Sequence, residues 1–311
     1  MKIVYGWKNV DPEFRGASLA LGEFDGVHKG HLGVIVSAAR AAADLKIPLA
    51  VISFEPHPRR WFEPDAPPFR LMNMAQQARA LEDLGVDIFY ILEFDAALAA
   101  MSDEEFVRNV LVDGLGVKHT AAGFDITFGK GRTGDPERLR GYGDKYGFSV
   151  SVVDCIGDYA SEKYSSSEVR NALQSGQPER AAQVLGRPFA IEGVVVEGQH
   201  LGRKLGYPTA NVDATEYVRP KFGVYATRSR LPDGREIPGV ANFGENPTTG
   251  LVEARLEVYL FDFDEDIYGQ TIETDLIWFL RPELNFDGLE ALVEQIGKDA
   301  REARRRLMPP F

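Results

Sequence analysis

The chain has 311 residues, 44% of them hydrophobic and 26% charged, with a formal net charge of −12 at pH 7. That length suits about two domains with their own cores, and the composition excludes a disordered or membrane-embedded chain. The acidic balance excludes a generic nucleic-acid or anionic-membrane binder, so any phosphate site must be a local positive pocket. Cys155 is the only cysteine, no leader-like pattern opens the chain, and no apolar run approaches the roughly 20 residues that span a bilayer. A reducing cytoplasm is the expected compartment.

Up to about residue 186, strand-like and helix-like segments alternate. Strands are expected at Ala17–Leu21, Pro48–Phe54, Asp87–Phe94, His119–Gly123 and Ser149–Ile156. Helices are expected at Leu32–Leu45, Asn73–Leu84, Asp103–Leu111, Pro136–Tyr146 and Glu168–Leu173. This alternation predicts an α/β domain with a doubly wound parallel sheet, which binds ligands outside the carboxyl ends of its strands. The first such end is Gly22-Glu-Phe24-Asp25-Gly26-Val-His28-Lys-Gly30-His31. Its glycines admit close approach of a bound group, and the helix start behind it favours an anion. The same decamer also reads as an ordinary turn with an incidental histidine pair.

Three further segments carry chemistry. Phe54-Glu-Pro-His57-Pro58 follows a strand, and His57 is either a polar group at the site or a loop histidine. Gly123-Phe-Asp125-Ile-Thr-Phe128-Gly-Lys-Gly131 suits a flat ligand and its phosphate, or is a solvated turn. Ser165-Ser166-Ser167-Glu168-Val-Arg170 is a capping box that also places an arginine in a helix's first turn.

Near Gly186-Arg187-Pro188 the character changes. Strands expected at Ile191–Glu197, Val224–Leu231, Glu236–Asn242, Ala254–Phe263 and Thr271–Leu280 suggest a small antiparallel barrel, closed by an amphipathic helix over Leu289–Leu307. Within Gly202-Arg-Lys204-Leu-Gly206-Tyr-Pro-Thr209-Ala-Asn211, positions 209 and 211 face the same way on an extended segment. Their hydroxyl and amide oxygens are hard donors suited to Mg²⁺ against phosphates. A polar strand end would look the same.

Taken together, Gly-x-Phe-Asp-Gly-x-His-x-Gly-His, Phe-x-Pro-His-Pro, Phe-Gly-Lys-Gly and Ser-Ser-x-x-x-Arg resemble the bacterial bifunctional riboflavin kinase/FAD synthetases. The Pro-Thr-Ala-Asn run, Phe222-Gly-Val-Tyr225, Gly239-Val-Ala-Asn242 and Glu257 through Gly269 resemble their kinase module. The resemblance implies a Rossmann-like nucleotidylyltransferase domain at 1–186, which adenylylates FMN to FAD, and a riboflavin kinase domain at 187–311. It implies ATP contacts from Gly22, Phe24, Asp25, Gly26, Gly30, Lys163, Ser166, Ser167 and Arg170, with His28 and His31 on the phosphates. It implies flavin contacts from His57, Pro58, Asp125 and Phe128. In the kinase half it implies Gly202, Lys204, Gly206, Thr209 and Asn211 around Mg-ATP, Thr209 and Asn211 as metal ligands, and Glu257 as the catalytic base.

The chemistry accords with these roles. FMN's phosphate is already an anionic nucleophile and needs no base, whereas riboflavin's 5′-hydroxyl is neutral and benefits from one. The expected partners are riboflavin, FMN and ATP with Mg²⁺, without nucleic acid or membrane, and any self-association is expected to be weak. Two other readings use the same scaffold: another nucleotidylyltransferase with an accessory barrel, and a non-catalytic flavin sensor.

Overall fold

A computed structural model describes residues 1–155, 157, 163–198, 202, 205–246 and 253–307. It divides into two compact units. The first comprises residues 1–66 and 74–164, and the second residues 67–73 and 165–311.

The first unit is a six-stranded sheet built from β1 (Lys2–Tyr5), β2 (Ser18–Leu21), β3 (Leu49–Glu55), β4 (Ile88–Glu93), β5 (His119–Gly123) and β6 (Ser149–Val153). Its helices are α1 (Lys29–Leu45), α2 (Pro58–Phe62), α3 (Met74–Asp83), α4 (Ala96–Ala100), α5 (Asp103–Glu105), a π-helical continuation at Phe106–Gly114, and α6 (Pro136–Tyr146). Strand order is β1-β4-β3-β2-β5-β6, and every pair is parallel. The winding runs outward from β2 through β3 and β4, then reverses to β5 and β6. The β2/β5 boundary is therefore the switch point, where the connecting loops diverge and leave a crevice.

All four residues of β2 are buried, as are the first five of β3. This is what a parallel sheet covered on both faces requires. The alternation expected from the sequence is present; the edge strand β1 was not expected. Its four residues are too few to show a period, and only Val4 is not exposed.

A buried polar staple ties the switch point together. Ser18 Oγ donates to the Ala38 carbonyl at 2.7 Å and lies 2.8 Å from His119 Nδ1. The serine proton is thereby used, so Nδ1 carries the imidazole hydrogen and donates, while Nε2 accepts from Ser151 Oγ at 2.9 Å. One histidine thus links α1, β2, β5 and β6.

The second unit opens with α7 (Ser166–Gln174) and α8 (Pro178–Leu185). A closed antiparallel barrel follows: β7 (Phe189–Val196), β8 (Ala210–Asp213), β9 (Gly223–Arg230), β10 (Glu236–Asn246), β11 (Glu253–Leu260) and β12 (Thr271–Pro282). Helix α9 (Leu289–Leu307) comes last. Ala300, Ala303 and Leu307 of α9 pack on Val224, Ala226 and Val240 outside the barrel. The interior takes the alternate residues, including Tyr225, Phe243, Leu256 and Val258, all fully buried. Neither α8 nor β8 was expected from the sequence. The former is a short Pro-initiated helix, and the latter was read only as an extended polar segment. The expected strand end at Ile156 lies outside the described residues.

Burial holds the His119 pKa below its usual 6.5. Below pH 6.5 the unfolded chain therefore binds the proton that the folded one refuses, so this stabilisation is complete above 6.5 and is lost as pH falls. Urea denaturation at stepped pH should show a stability loss of up to about 1.4 kcal/mol per pH unit below 6.5 that His119→Gln lacks.

Candidate active sites

In the first unit, the turn between β2 and α1 lies at the carboxyl edge of the sheet beside the switch point. Gly26 and Val27 both adopt positive φ, 88° and 40°. Such a pair suits glycine and strains valine, and it swings the chain from strand into helix. Phe24 anchors the turn, with 1% of its surface exposed. His28 caps α1: its Nδ1 accepts from the His31 backbone N–H at 3.2 Å. In the neutral ring the hydrogen is therefore on Nε2.

The His28 and His31 rings stack at 3.6 Å between centroids, and Phe24 meets His31 edge-on. Gly30 is the enabling residue. A Cβ there would lie 2.5 Å from the Tyr164 carbonyl oxygen and 2.9 Å from the His28 ring. The first turn of this 17-residue helix contains no acidic side chain, and Lys29 Nζ lies over Tyr164. Two imidazoles, a helix N-terminus and a lysine make an anion-binding corner in an acidic protein. Gly22, Phe24, Asp25 and Gly26 belong to this turn, Asp25 being buried.

At the end of β3, His57 caps α2 by accepting the Arg59 N–H at its Nδ1, and its Nε2 sits 3.4 Å from Glu23. Pro58 is the first residue of α2. Trp61 and Phe62 on α2 are exposed and pack edge-on against Phe94. Phe94 meets Phe54, which meets Phe106, which meets Phe128. Phe128, expected to contact a flavin, is the buried end of this aromatic ladder, whereas Trp61 and Phe62 at its other end are exposed, as is Phe124. A Trp-Phe pair following a His-Pro turn was the available signal. Asp125 is exposed and ion-paired to Lys163, whose Nζ also lies over Phe124.

Ser166, Ser167 and Arg170 lie in the second unit, on α7. Ser165 caps that helix through the Glu168 N–H. Arg170 Nε donates to the Phe69 carbonyl at 2.7 Å, and its guanidinium lies over the Phe69 ring.

The barrel carries the second candidate site on its outer wall. Glu257 of β11 pairs across the sheet with Asn242 of β10 on one side and Asn211 of β8 on the other. Directly paired residues share a face, so three polar side chains line up across three strands. A cavity of about 340 Å³ between this wall and α9 is lined by Glu257, Asn242, Tyr259, Phe286, Ile296 and Thr209 among others. A second cavity of about 260 Å³, lined by Val195, Pro208, Ile267 and Tyr268, also reaches Thr209. Thr209 is thus common to both.

Burial pushes the Glu257 carboxyl above its usual value of 4.5, against a smaller lowering by Arg255. That is the condition for a proton acceptor poised nearer neutrality. Arg281 grips Asp299 of α9 with Nε at 2.9 Å and Nη2 at 2.7 Å, and Gln295 adds a bond to the same carboxylate. This bidentate clamp fixes the helix wall of the larger cavity.

Asn211 is 6% exposed, and a Cβ on Gly198 would collide with its amide. Gly202 packs as closely on the Tyr207 backbone, while Gly206 has φ 85° and opens onto free space. Lys204 and its neighbour Arg203 lie outside the described residues, as does the side chain of Glu253, the rival to Glu257. Asn242, Tyr259, Arg281 and Phe286 were not singled out from the sequence. For Asn242, Tyr259 and Arg281 the clue, a polar group at the outward phase of a strand, needs the barrel's inside and outside to be known first, and Phe286, in the loop after β12, carried none.

The FAD synthetase family model matches residues 10–168, and the riboflavin kinase family model matches residues 185–307. A bifunctional riboflavin kinase/FMN adenylyltransferase of Pseudomonas fluorescens is 41% identical over 99% of both chains. The protein of that description from Escherichia coli K12 is 38% identical over 98% of this chain and 97% of its own. A solved structure from Streptococcus pneumoniae, described as a macrolide-efflux protein, shares the fold with a TM-score of 0.86 at 32% identity, covering 98% of this chain and 99% of that one. Among the described residues no helix is long and apolar enough to cross a membrane. With both family models matched in order and relatives of the same description aligned from end to end, the chain belongs to the bifunctional riboflavin kinase/FMN adenylyltransferase family.

Proposed function

We propose that this chain carries out both steps of flavin cofactor synthesis: riboflavin and ATP give FMN, then FMN and ATP give FAD and pyrophosphate. The observation that carries the reading is the placement of Glu257 on the wall of a ligand-sized cavity, with Thr209 common to that cavity and to its neighbour. The larger, mostly apolar cavity suits riboflavin, and the smaller one suits the nucleotide. Transfer of the γ-phosphoryl group would then occur beside Thr209, where the two cavities meet.

Glu257 accepts the proton from the riboflavin 5′-hydroxyl as that oxygen attacks the γ-phosphorus and ADP leaves. Asn211 and Asn242, on either side, orient the hydroxyl and the carboxylate. ATP-using enzymes of these classes require a divalent metal, and the donors here fit Mg²⁺. Thr209 and Asn211 offer hard oxygens, and no cluster of three or more His, Cys, Asp or Glu ligands exists among the described residues. A metal held largely by phosphates and few protein oxygens matches that donor set, and when bound it would neutralise phosphate charge.

In the first unit, the phosphate of FMN attacks the α-phosphorus of ATP, and pyrophosphate departs. The protein must bring two anions together and stabilise the charge on the leaving group, without a general base. His28 Nε2–H, His31 and the N–H groups of the first turn of α1 supply donors, while Trp61 and Phe62 offer a face to the isoalloxazine. We assign adenylylation to residues 1–186 and phosphorylation to 187–311. The single cysteine and the acidic balance support a cytoplasmic setting.

Four outcomes test this. Chromatography of flavins after incubation with riboflavin, ATP and Mg²⁺ should show FMN first and FAD second. A pure nucleotidylyltransferase would make FAD only from added FMN, and a sensor would convert nothing. Glu257→Gln should lower kinase kcat by about 10²–10⁴-fold while FMN adenylylation persists. The wild-type kinase rate should fall with acid at a midpoint above 4.5, the carboxylate's ordinary value. Gly30→Ala, which drives a methyl into the Tyr164 backbone and the His28 ring, should abolish adenylylation and spare the kinase.

A further inference from the structure

The loop Gly129–Thr133 follows β5 at the switch point and carries two exposed cations, Lys130 and Arg132. Its ends are zipped together: Phe128 and Gly134 exchange backbone hydrogen bonds at 3.2 and 2.9 Å. Its interior is unusual. Gly129, Gly131 and Arg132 all have positive φ, at 75°, 70° and 56°. A five-residue loop with a left-handed arginine does not hold one shape unaided.

What holds it is the segment Met101–Asp103. Lys130 N–H donates to the Met101 carbonyl at 2.7 Å, and a Cβ on Gly129 would fall within 2.5 Å of the Asp103 Cα. Asp103 itself is 4% exposed. Its Oδ1 accepts from Thr133 Oγ1 at 2.9 Å, and its Oδ2 from Arg138 Nε at 2.6 Å and the Tyr142 hydroxyl at 2.7 Å. Burial pushes this carboxyl up, but hydrogen bonds from Tyr142, Arg138 and Thr133 and the Arg138 charge outweigh it and bring it to about 2. It is therefore an anion at any assay pH. Nothing in adenylyl transfer calls for an anion here, and its bonds all run to α6 and the loop.

We propose that Asp103 is a positioning residue for FMN adenylylation: it ties the Gly129–Thr133 loop to α6, so that Lys130 and Arg132 are held in place for substrate phosphate. The proposal rests on the reading of the first unit as the adenylylation site. It concerns a residue that meets no substrate and acts through Thr133 and the loop backbone.

The test uses the full chain, whose riboflavin kinase activity is an internal standard, and reports kcat and KM for FMN and for ATP separately. Asp103→Asn places an amide N–H against the Arg138 or Thr133 donor and should raise at least one KM about tenfold, with kcat within about threefold and kinase kinetics unchanged. Because that variant also stresses the fold, Thr133→Val removes the link to the loop, together with the longer bond of the same hydroxyl to the Lys130 carbonyl at 3.3 Å, and leaves the α6 bonds of Asp103 in place. It should raise the same KM by several-fold at an unchanged unfolding midpoint, and Thr133→Ser should restore it. Unchanged KM values in Thr133→Val, or an equal rise in Thr133→Ser, would overturn the proposal. The double variant Lys130→Ala/Arg132→Ala separates the two readings. If it leaves both KM values alone, the loop does not serve phosphate and the proposal fails, while the site reading built on His28 and His31 stands. If it raises KM while Thr133→Val does not, only the positioning role fails.

Discussion

Which faces of a sheet are covered decides where this protein can place its chemistry. In the first unit both faces of the central strands β2 to β5 are buried, so their residues cannot meet a ligand from the side. The candidate groups lie instead on the loops at the carboxyl ends: His28 after β2, His57 after β3, and the Gly129–Thr133 loop after β5. In the second unit the barrel interior is filled with side chains, and only the outer wall is available. There the candidate groups sit on the strands themselves, as Glu257 flanked by Asn211 and Asn242. Two architectures thus lead to two ways of building a phosphate-handling site.

The difference suits the two reactions. Adenylylation begins with an anionic nucleophile, and its difficulty is gathering negative charge in one place. A loop-built corner of N–H donors, imidazoles and cations meets that need, even in a chain of net charge −12. Phosphorylation begins with a neutral hydroxyl and needs a carboxylate held just short of water. The proposed base, Glu257, suits that need, since burial raises its pKa and the Arg281–Asp299 clamp holds α9 over the cavity. Polar positioning recurs in both units. The His119 staple fixes the strands at the switch point, and Asp103 braces the loop above it.

Much of this was legible in the amino-acid sequence. The turn at 22–31 between a strand and a helix and the strand–helix alternation are local features, and local stereochemistry carried them into the structure nearly unchanged. Glu257 was legible too, because a lone carboxylate at Leu256–Phe261 contradicts its apolar setting. Other features depend on partners far along the chain. β1 and β8 are four-residue strands that exist because β4 on one side, and β7 and β11 on the other, supply their hydrogen bonds. Phe128, which the resemblance gave as a flavin contact, is 9% exposed, and its ring packs on Phe106. Residues 67–73 lie in the middle of the first unit's sequence, and their contacts through Arg70, Met72 and Asn73 place them with the second.

By itself, then, the sequence determined the two-domain class, the order of the motifs and the chemical type of each candidate group, since these follow from composition, period and spacing within a few residues. Tertiary structure alone decided which side chains face one another: that Asn242 and Asn211 flank Glu257, that Thr209 joins two cavities, that Asp103 grips Thr133. Those facts depend on strand register and loop closure across tens of residues. Register is set by the packing of whole faces, which no local window of sequence contains.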